Sequence, residues 1–199
     1  RRLIEVVGGS GGRSRTVGFA DLVGFTALAQ QVPDEELAAI VDRFEAMAFD
    51  TVARFGGRVI KMIGDEVMFV VDDASTAVEL GLEMADAYHG EEATSDVRVG
   101  LASGRVLERE GDLFGPTVNL ASRIAGIAYP GAVVVSESIR DELGDEEGIE
   151  FHSLRTHTLK DIGRVPLWVV RRAGERRSLL DEARIRRELG RAWIEEHFG

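Results

Sequence analysis

The stretch Arg58–Phe69, Arg-Val-Ile-Lys-Met-Ile-Gly-Asp-Glu-Val-Met-Phe, holds charged side chains among two apolar runs, Val59–Ile63 and Val67–Val71. Gly64-Asp65 separates the runs, and such pairs favour tight hairpin turns, so Asp65 and Glu66 are carboxylates raised at a hairpin tip. Lys61 is a cation inside an apolar strand. Strict alternation places it on one face with Val59 and Ile63. A buried lysine without a partner is costly, so Lys61 is either an edge residue reaching solvent or a recognition group. Two further groupings could meet a ligand. Asp21 lies late in the apolar stretch Thr16–Leu22, just before Gly24, and backbone N–H groups exposed at such a turn can cradle phosphate oxygens. The plainer role for Asp21 is a helix cap or a buried turn residue. Asn119 and Arg123 stand four apart on a helical segment and share a face, while Val118, Ala121, Ile124 and Ala125 supply that helix's core stripe. That polar face is either solvated or available to a ligand or partner.

The elements that must position these groups follow in order. Leu3–Val7 is a short apolar piece, and the Gly-rich run 8–14 lacks the Gly-x4-Gly-Lys-Ser/Thr pattern of a phosphate loop, so it reads as a flexible linker. Thr16–Leu22 is a strand. Pro33-Asp-Glu-Glu36 opens a long helix with core stripe Leu37, Val41, Phe44, Ala48, Thr51 and Phe55, stopped by Gly56-Gly57. After the hairpin, Asp72–Ala74 starts a second helix with Val78, Leu82, Ala85 and Tyr88 inward and Gly90 as its stop; residues 91–95 form a polar loop. Asp96–Ser103 and Arg105–Glu110 read as two strands joined at Ser103-Gly104, which sends Arg105 out of a tight turn. Gly111–Pro116 is a loop into the Asn119/Arg123 helix, which ends near Ala128. Ala132–Val135 is a strand, Ser136–Leu143 a short helix with a Ser cap, and Ile149–Leu159 and Val165–Arg171 are strands joined by Lys160–Gly163. Residues 175–199 are charged and helix-prone, with a stripe of Ile185, Leu189 and Trp193.

The order strand, helix, hairpin, helix, strand is a ferredoxin-like β-α-β-β-α-β core in an α/β (α+β) chain, with an antiparallel-rich sheet and added C-terminal strands and helices. Such a sheet has one open face that a second copy could cover. The expected division is a segment and linker at 1–14, one catalytic domain at 15–172 and a helical extension at 173–199.

Composition narrows the function classes. At 199 residues and 44% hydrophobic, the chain fits one domain with an ordinary core. The absence of cysteine excludes disulfide frameworks, thiolate zinc sites and cysteine nucleophiles, and the four histidines (His89, His152, His157, His197) show no metal-ligand spacing. A net charge of -11 argues against a nucleic-acid or anionic-membrane partner, though a metal ion can offset charge around a small phosphate ligand. No apolar run spans a bilayer and no signal peptide is visible, which gives the expectation of an acidic cytoplasmic domain. The chain starts at Arg1 rather than Met, so we expect a longer protein with an upstream or downstream regulatory domain.

Taken together, the motifs resemble the catalytic domain of class III nucleotide (adenylate) cyclases over roughly residues 15–171. Phe19-Ala-Asp-Leu-Val-Gly-Phe-Thr26 looks like the family's first metal motif, and Lys61-Met-Ile-Gly-Asp-Glu66 like its purine-selecting Lys and second metal Asp. Val99-Gly-Leu-Ala-Ser-Gly-Arg-Val106 is similar to the segment carrying a phosphate-binding Arg. Asp112-Leu-Phe-Gly-x-x-Val-Asn-x-x-x-Arg123 matches the segment with the second base-selecting residue and the transition-state Asn and Arg. Lys160 sits where the family has a Lys on the triphosphate, but the Gly that usually follows is Asp161 here.

The resemblance implies a site residue by residue. Asp21, Asp65 and the backbone of Leu22 would hold two Mg²⁺ or Mn²⁺ ions, an oxygen-only set suited to hard cations that also use substrate phosphates. Asn119 would orient the ribose and Arg123 would stabilise charge on the α-phosphate. Arg105 and Lys160 would hold the β- and γ-phosphates, and Phe25 and Thr26 would also touch the substrate. Glu66 reads as a hairpin or ion-pair residue rather than a ligand. Lys61 can only donate and ionised Asp112 can only accept, which complements N1 and N6 of adenine and opposes guanine. The implied reaction is ATP to 3′,5′-cyclic AMP and pyrophosphate, at composite sites of a head-to-tail homodimer. Competing readings are a guanylate cyclase, which Lys61 and Asp112 disfavour; a diguanylate cyclase, whose Gly-Gly-Asp-Glu-Phe hairpin has Ile63 in place of its first Gly here; and a non-catalytic nucleotide-binding dimerisation module. A module of that last kind would usually have lost a metal or transition-state position, and none is lost in this sequence.

Overall fold

A computed structural model describes residues 13–87 and 96–174, and their elements keep the β-α-β-β-α-β order read from the sequence. β1 (Arg13–Leu22) lies between β3 (Glu66–Val71) and β4 (Val97–Arg109), antiparallel to both. With β2 (Arg58–Ile63) at one edge, the core order is β2-β3-β1-β4, the ferredoxin-like arrangement. The sheet then continues through β6 (Val133–Ser136), β8 (Gly163–Arg172) and β7 (Ile149–Leu159). β6 joins β4 in parallel, and β6, β8 and β7 pair antiparallel. A short β5 (Asp112–Phe114) folds back on the end of β4.

The sheet is covered on both faces, which is why β1 reads as an almost unbroken apolar run. Ala20 and Leu22 face a core shared with α2 (Asp34–Arg54), α3 (Ala74–Ala87) and α5 (Glu137–Leu143). Val17 and Phe19 face the opposite core, which includes Ala121, Ile124 and Ala125 of α4 (Pro116–Ile127). The expectation of one open sheet face is therefore corrected: α4 covers β4, β1 and β6 on that side. Its seat depends on Gly100, where an added Cβ would stand 2.1 Å from the Ala125 nitrogen and 2.7 Å from the Ala121 carbonyl oxygen. The helix backbone lies directly on the strand because no side chain intervenes.

Several local expectations are also corrected. β1 starts at Arg13, so Arg13 and Ser14 belong to the sheet rather than to the linker. The two strands expected across 96–110 are one strand, β4. Gly104 makes no turn; its missing side chain admits Thr117, whose Oγ1 would be 2.7 Å from a Cβ there and which donates to the Arg105 carbonyl at 2.9 Å. The turn lies instead at Glu110-Gly111, with φ of 54° and 83°, in the two-residue hairpin to β5. Part of the expected 111–116 loop is thus strand. In α2 the buried line is Ile40, Phe44, Ala48, Thr51 and Val52; Leu37, Val41 and Phe55 of the expected stripe are only half-buried. Ser136 is the N-cap residue of α5, but its hydroxyl contacts Ser138 Oγ at 2.8 Å rather than a backbone N–H. Leu3–Val7, Gly8–Gly12, Tyr88, His89, Gly90, the 91–95 loop, the 175–199 helix and His197 lie outside the described residues.

Candidate active site

The hairpin tip is held against the end of β1. Gly64-Asp65 is a two-residue turn in which only Gly64 has positive φ, 65°, the sign pattern of a II′ hairpin turn. The Leu22 N–H donates to the Asp65 carbonyl at 3.2 Å, and Asp21 is registered opposite Glu66. Three carboxylates, Asp21, Asp65 and Glu66, thus converge where β1 meets the β2–β3 tip. Burial, then the neighbouring charge of Asp21, raises the proton affinity of Asp65, and a hydrogen bond with the Asp21 carboxyl adds to it. Glu66 is pushed up to about 7, first by burial and then by Asp21.

One cation already answers this cluster. Arg98 is the β4 partner of Asp21, and its Nε and Nη2 donate to the same Oδ2 at 2.7 and 2.5 Å. Its Nη1 donates to the Gly126 carbonyl at 3.3 Å, near the end of α4. The sequence reading missed Arg98. Its signal was an arginine between valines in a buried strand, but only the β1–β4 register identifies its acid. Among the described residues no three or more His, Asp or Glu side chains form a metal-ligating cluster. An oxygen-only pair, Asp21 and Asp65, in which burial and then the charge of Asp21 raise the proton affinity of Asp65, nevertheless fits a hard divalent cation whose remaining ligands would come from backbone and phosphate oxygens. Leu22 is buried in the core, and Phe25 packs on the same core as the first residue of α1 (Phe25–Leu28), directly after Gly24 at φ 76°. Thr26 is exposed beside it.

Lys61 lies on the α4 side of the sheet, not on the face of Val59. A β-bulge between Val59 and Lys61 breaks the alternation, so Val59 pairs with Phe69 while Lys61 pairs with Met68. Phe69 belongs to the α2/α3 core and Met68 to the α4 core. The bulge aims Lys61 at β5, where Nζ donates to Asp112 Oδ1 and Oδ2 at 2.9 and 2.6 Å. This hydrogen bond, followed by one from the Leu113 N–H, holds the Asp112 carboxyl below its usual range. Sequence reasoning paired these two residues by chemistry, and the structure brings them together in one chain.

The remaining positions are open. Asn119 and Arg123 are exposed on α4, and Arg123 Nη2 lies 3.6 Å from Asp161 Oδ2. Asp161 sits in the β7–β8 turn next to exposed Lys160. Arg105 is exposed on β4, with no side-chain ion pair among the described residues. The structure does not gather Arg105, Asn119, Arg123 and Lys160 around Asp21 and Asp65 by any direct contact among the described side chains.

Known proteins resemble this chain in sequence and in fold. Residues 13–172 match the adenylate and guanylate cyclase catalytic domain family. The chain is 47% identical over 131 residues to an adenylate cyclase of Streptomyces coelicolor, covering 66% of this chain and 34% of that protein. It is 40% identical over 170 residues to a pH-sensitive adenylate cyclase of Mycobacterium tuberculosis, covering 83% of this chain and 43% of that protein. The chain thus spans a third to under a half of these relatives' lengths. Among solved structures, the catalytic core of a rhodopsin-guanylyl cyclase with converted specificity, in complex with ATPαS, superposes with a TM-score of 0.74 at 25% identity, covering 81% of this chain and 97% of the other. A match spanning the described sheet from its first strand to its last shows that the chain belongs to the adenylate and guanylate cyclase catalytic domain family.

Proposed function

We propose that this domain converts ATP to 3′,5′-cyclic AMP and pyrophosphate. The observation that carries the choice of ATP is the Lys61–Asp112 pair, donor against acceptor at 2.6 and 2.9 Å on the α4 side of the sheet. A lysine offers only donors and an ionised carboxylate only acceptors, so adenine can take up both, N1 accepting from Lys61 and N6 donating to Asp112. Guanine would leave both groups unsatisfied. The depressed proton affinity of Asp112 keeps it an acceptor at neutral pH.

Asp21, Asp65 and the backbone of Leu22 would hold two Mg²⁺ or Mn²⁺ ions. When bound, such ions activate the ribose 3′-hydroxyl for in-line attack and neutralise the leaving pyrophosphate. Arg98 fixes Oδ2 of Asp21, which orients the carboxylate. Asn119 orients the ribose, Arg123 stabilises charge on the α-phosphate, and Arg105 and Lys160 hold the β- and γ-phosphates. Thr26 and Phe25 line the approach to the phosphates.

The open positions support a site shared between two copies. One chain gives Asp21, Asp65 and Arg105; the other gives Lys61, Asp112, Asn119, Arg123 and Lys160. Exposed apolar side chains favour such a head-to-tail homodimer. Leu107 and Phe114, registered partners on the β4–β5 hairpin, are 50% and 47% exposed, and Ile63 is 47% exposed. Among the described residues no helix is long and apolar enough to cross a membrane. With ATP as substrate the proposed place of action is the cytoplasm, and the greater length of the relatives supports a further, regulatory domain as part of the proposal. Incubation with ATP or GTP and Mn²⁺ tests the reading: cyclic AMP is the expected product. Cyclic GTP in preference, or no cyclic product, would overturn it.

A further inference from the structure

The β7–β8 turn departs from the family pattern where it meets the catalytic helix. Asp161, which stands where the family usually has Gly, adopts φ 65°, one of only two positive-φ non-glycine residues among those described. A side chain in this left-handed region is strained, less so for Asp than for most residues. The turn is not loose. Leu159, 4% exposed, is buried in the core that α4 shares, and the Ile162 N–H closes on the Leu159 carbonyl at 3.2 Å. The Asp161 carboxylate lies 3.6 Å from Arg123 Nη2, in a pair whose side chains are 75% and 48% exposed, and Arg123 has no other ion pair among the described residues. The same residue is covalently next to Lys160.

Building on the cyclase reading, we propose that Asp161 is a negative tether on Arg123 that holds down the positive charge offered to the nucleotide's phosphates. Arg123 must leave Asp161, or share its charge with it, to meet a developing negative charge on phosphorus. Asp161 touches no reacting atom and acts through Arg123. A glycine here would relieve both the charge and the backbone; the aspartate keeps the domain below the rate its other residues allow.

The test uses Asp161→Asn and Asp161→Gly in the full chain. Asn tolerates the left-handed backbone and removes only the charge, whereas Gly removes charge and strain together. Two readouts are taken: kcat and KM for cyclic AMP formation with Mn²⁺, and the Kd for ATP in the presence of Ca²⁺. Both variants should raise kcat/KM and tighten ATP by about two- to fivefold, the range of an exposed ion pair. Raised ionic strength should narrow the difference from wild type. In an Arg123→Ala background the Asp161→Asn effect on ATP binding should vanish. A gain in Asp161→Gly alone would assign the effect to the backbone and overturn the tether. A loss in Asp161→Asn would mean that Asp161 holds Arg123 productively, and no change in either readout would remove the proposal outright. Wild type that binds ATP but forms no cyclic product would sink the cyclase reading, while the binding comparison still decides the tether. Wild type that does neither overturns both.

Discussion

The two ends of the candidate site are built differently. At the hairpin tip, Asp21, Asp65 and Glu66 are crowded, partly buried and already answered by Arg98 at 2.5–2.7 Å. On α4 and in the β7–β8 turn beside it, Asn119, Arg123 and Lys160 are exposed, and the one ion pair among them, Arg123–Asp161, spans 3.6 Å. At the acidic end, burial and then the charge of Asp21 raise the proton affinities of Asp65 and Glu66. The basic end has exposed side chains, and among the described residues Asp161 is the ion-pair partner of Arg123. The Lys61–Asp112 pair lies with the second group, on the α4 side of the sheet. Such a contrast accords with the proposed site shared between two copies about a two-fold axis.

The largest expected effect tests that division. Asp21→Ala and Arg123→Ala should each abolish cyclisation, one through the metals and the other through the transition state. If each site takes its carboxylates from one copy and its α4 face from the other, mixing the two inactive proteins restores one complete site per heterodimer. Activity should return to at most about a quarter of wild type for random pairing of independent sites. An exchanging mixture that stays inactive, or an active monomer by sedimentation, would break the comparison and return Asn119 and Arg123 to the same chain's Asp21.

Base choice comes next in size. Lys61→Glu replaces a donor by an acceptor facing N1, and pairing it with Asp112→Gly or Asp112→Cys removes the acceptor facing N6. ATP turnover should fall by orders of magnitude in the single variant, and the double variants should favour GTP, because wrong hydrogen-bond polarity in a desolvated pocket is heavily penalised. Competition assays with both nucleotides read this directly. An unchanged ATP preference in Lys61→Glu would remove Lys61 from the pocket.

How much of this was legible in the sequence varies with the range of the cause. Local signals held: Gly64-Asp65 is the turn, Asp21 lies late in its strand, and Asn119 and Arg123 share the exposed side of α4. The errors that bear on the site came from partners distant in sequence. Gly104 resembled a turn because its real reason, Thr117 packing against it, is thirteen residues away. Lys61 was assigned the wrong face because a bulge is set by pairing with β3 and leaves no mark in an apolar run. Arg98 was invisible without the register to Asp21. The open sheet face was expected because nothing in α4's own stripe says which layer will receive it; Gly100 decides that.

A smaller effect probes how the open end is held in place. Gly100→Ala would set a Cβ 2.1 Å from the Ala125 nitrogen, against backbone that cannot rotate away. α4 must lift from β4, taking Asn119 and Arg123 with it. The cost should be about 1–3 kcal/mol, the range for overpacking a close-packed interior. Urea titration gives the stability, and kcat gives the displacement. The hairpin tip should keep its metal dependence, since Asp65 and Leu22 are joined by their own backbone contact. A stable variant with wild-type kcat would show that α4 adjusts without consequence for the site.

The smallest effect belongs to the crowded end and is a matter of pH. Glu66 titrates near 4.5 in an unfolded chain and at about 7 in the folded one, raised chiefly by burial. The folded state therefore binds more protons between these values, so without divalent metal its stability is greatest below pH 4.5 as far as Glu66 is concerned. That contribution is lost as pH rises through about 7. Asp65 shifts in the same direction and reinforces the slope. Glu66→Gln keeps the shape and removes the titration. At pH 8 it should melt higher than wild type by about 2–4 °C, corresponding to about 1 kcal/mol once the shift is discounted for solvent screening. The gap should close as pH falls toward 4.5. Adding Mn²⁺ should narrow it too, because a cation at Asp21 and Asp65 offsets the repulsion on Glu66. A Glu66→Gln protein whose melting temperature tracks wild type across this range would mean that the carboxylates at the tip are already relaxed without metal. The contrast between a crowded acidic end and a solvent-facing end would then fail at its first member.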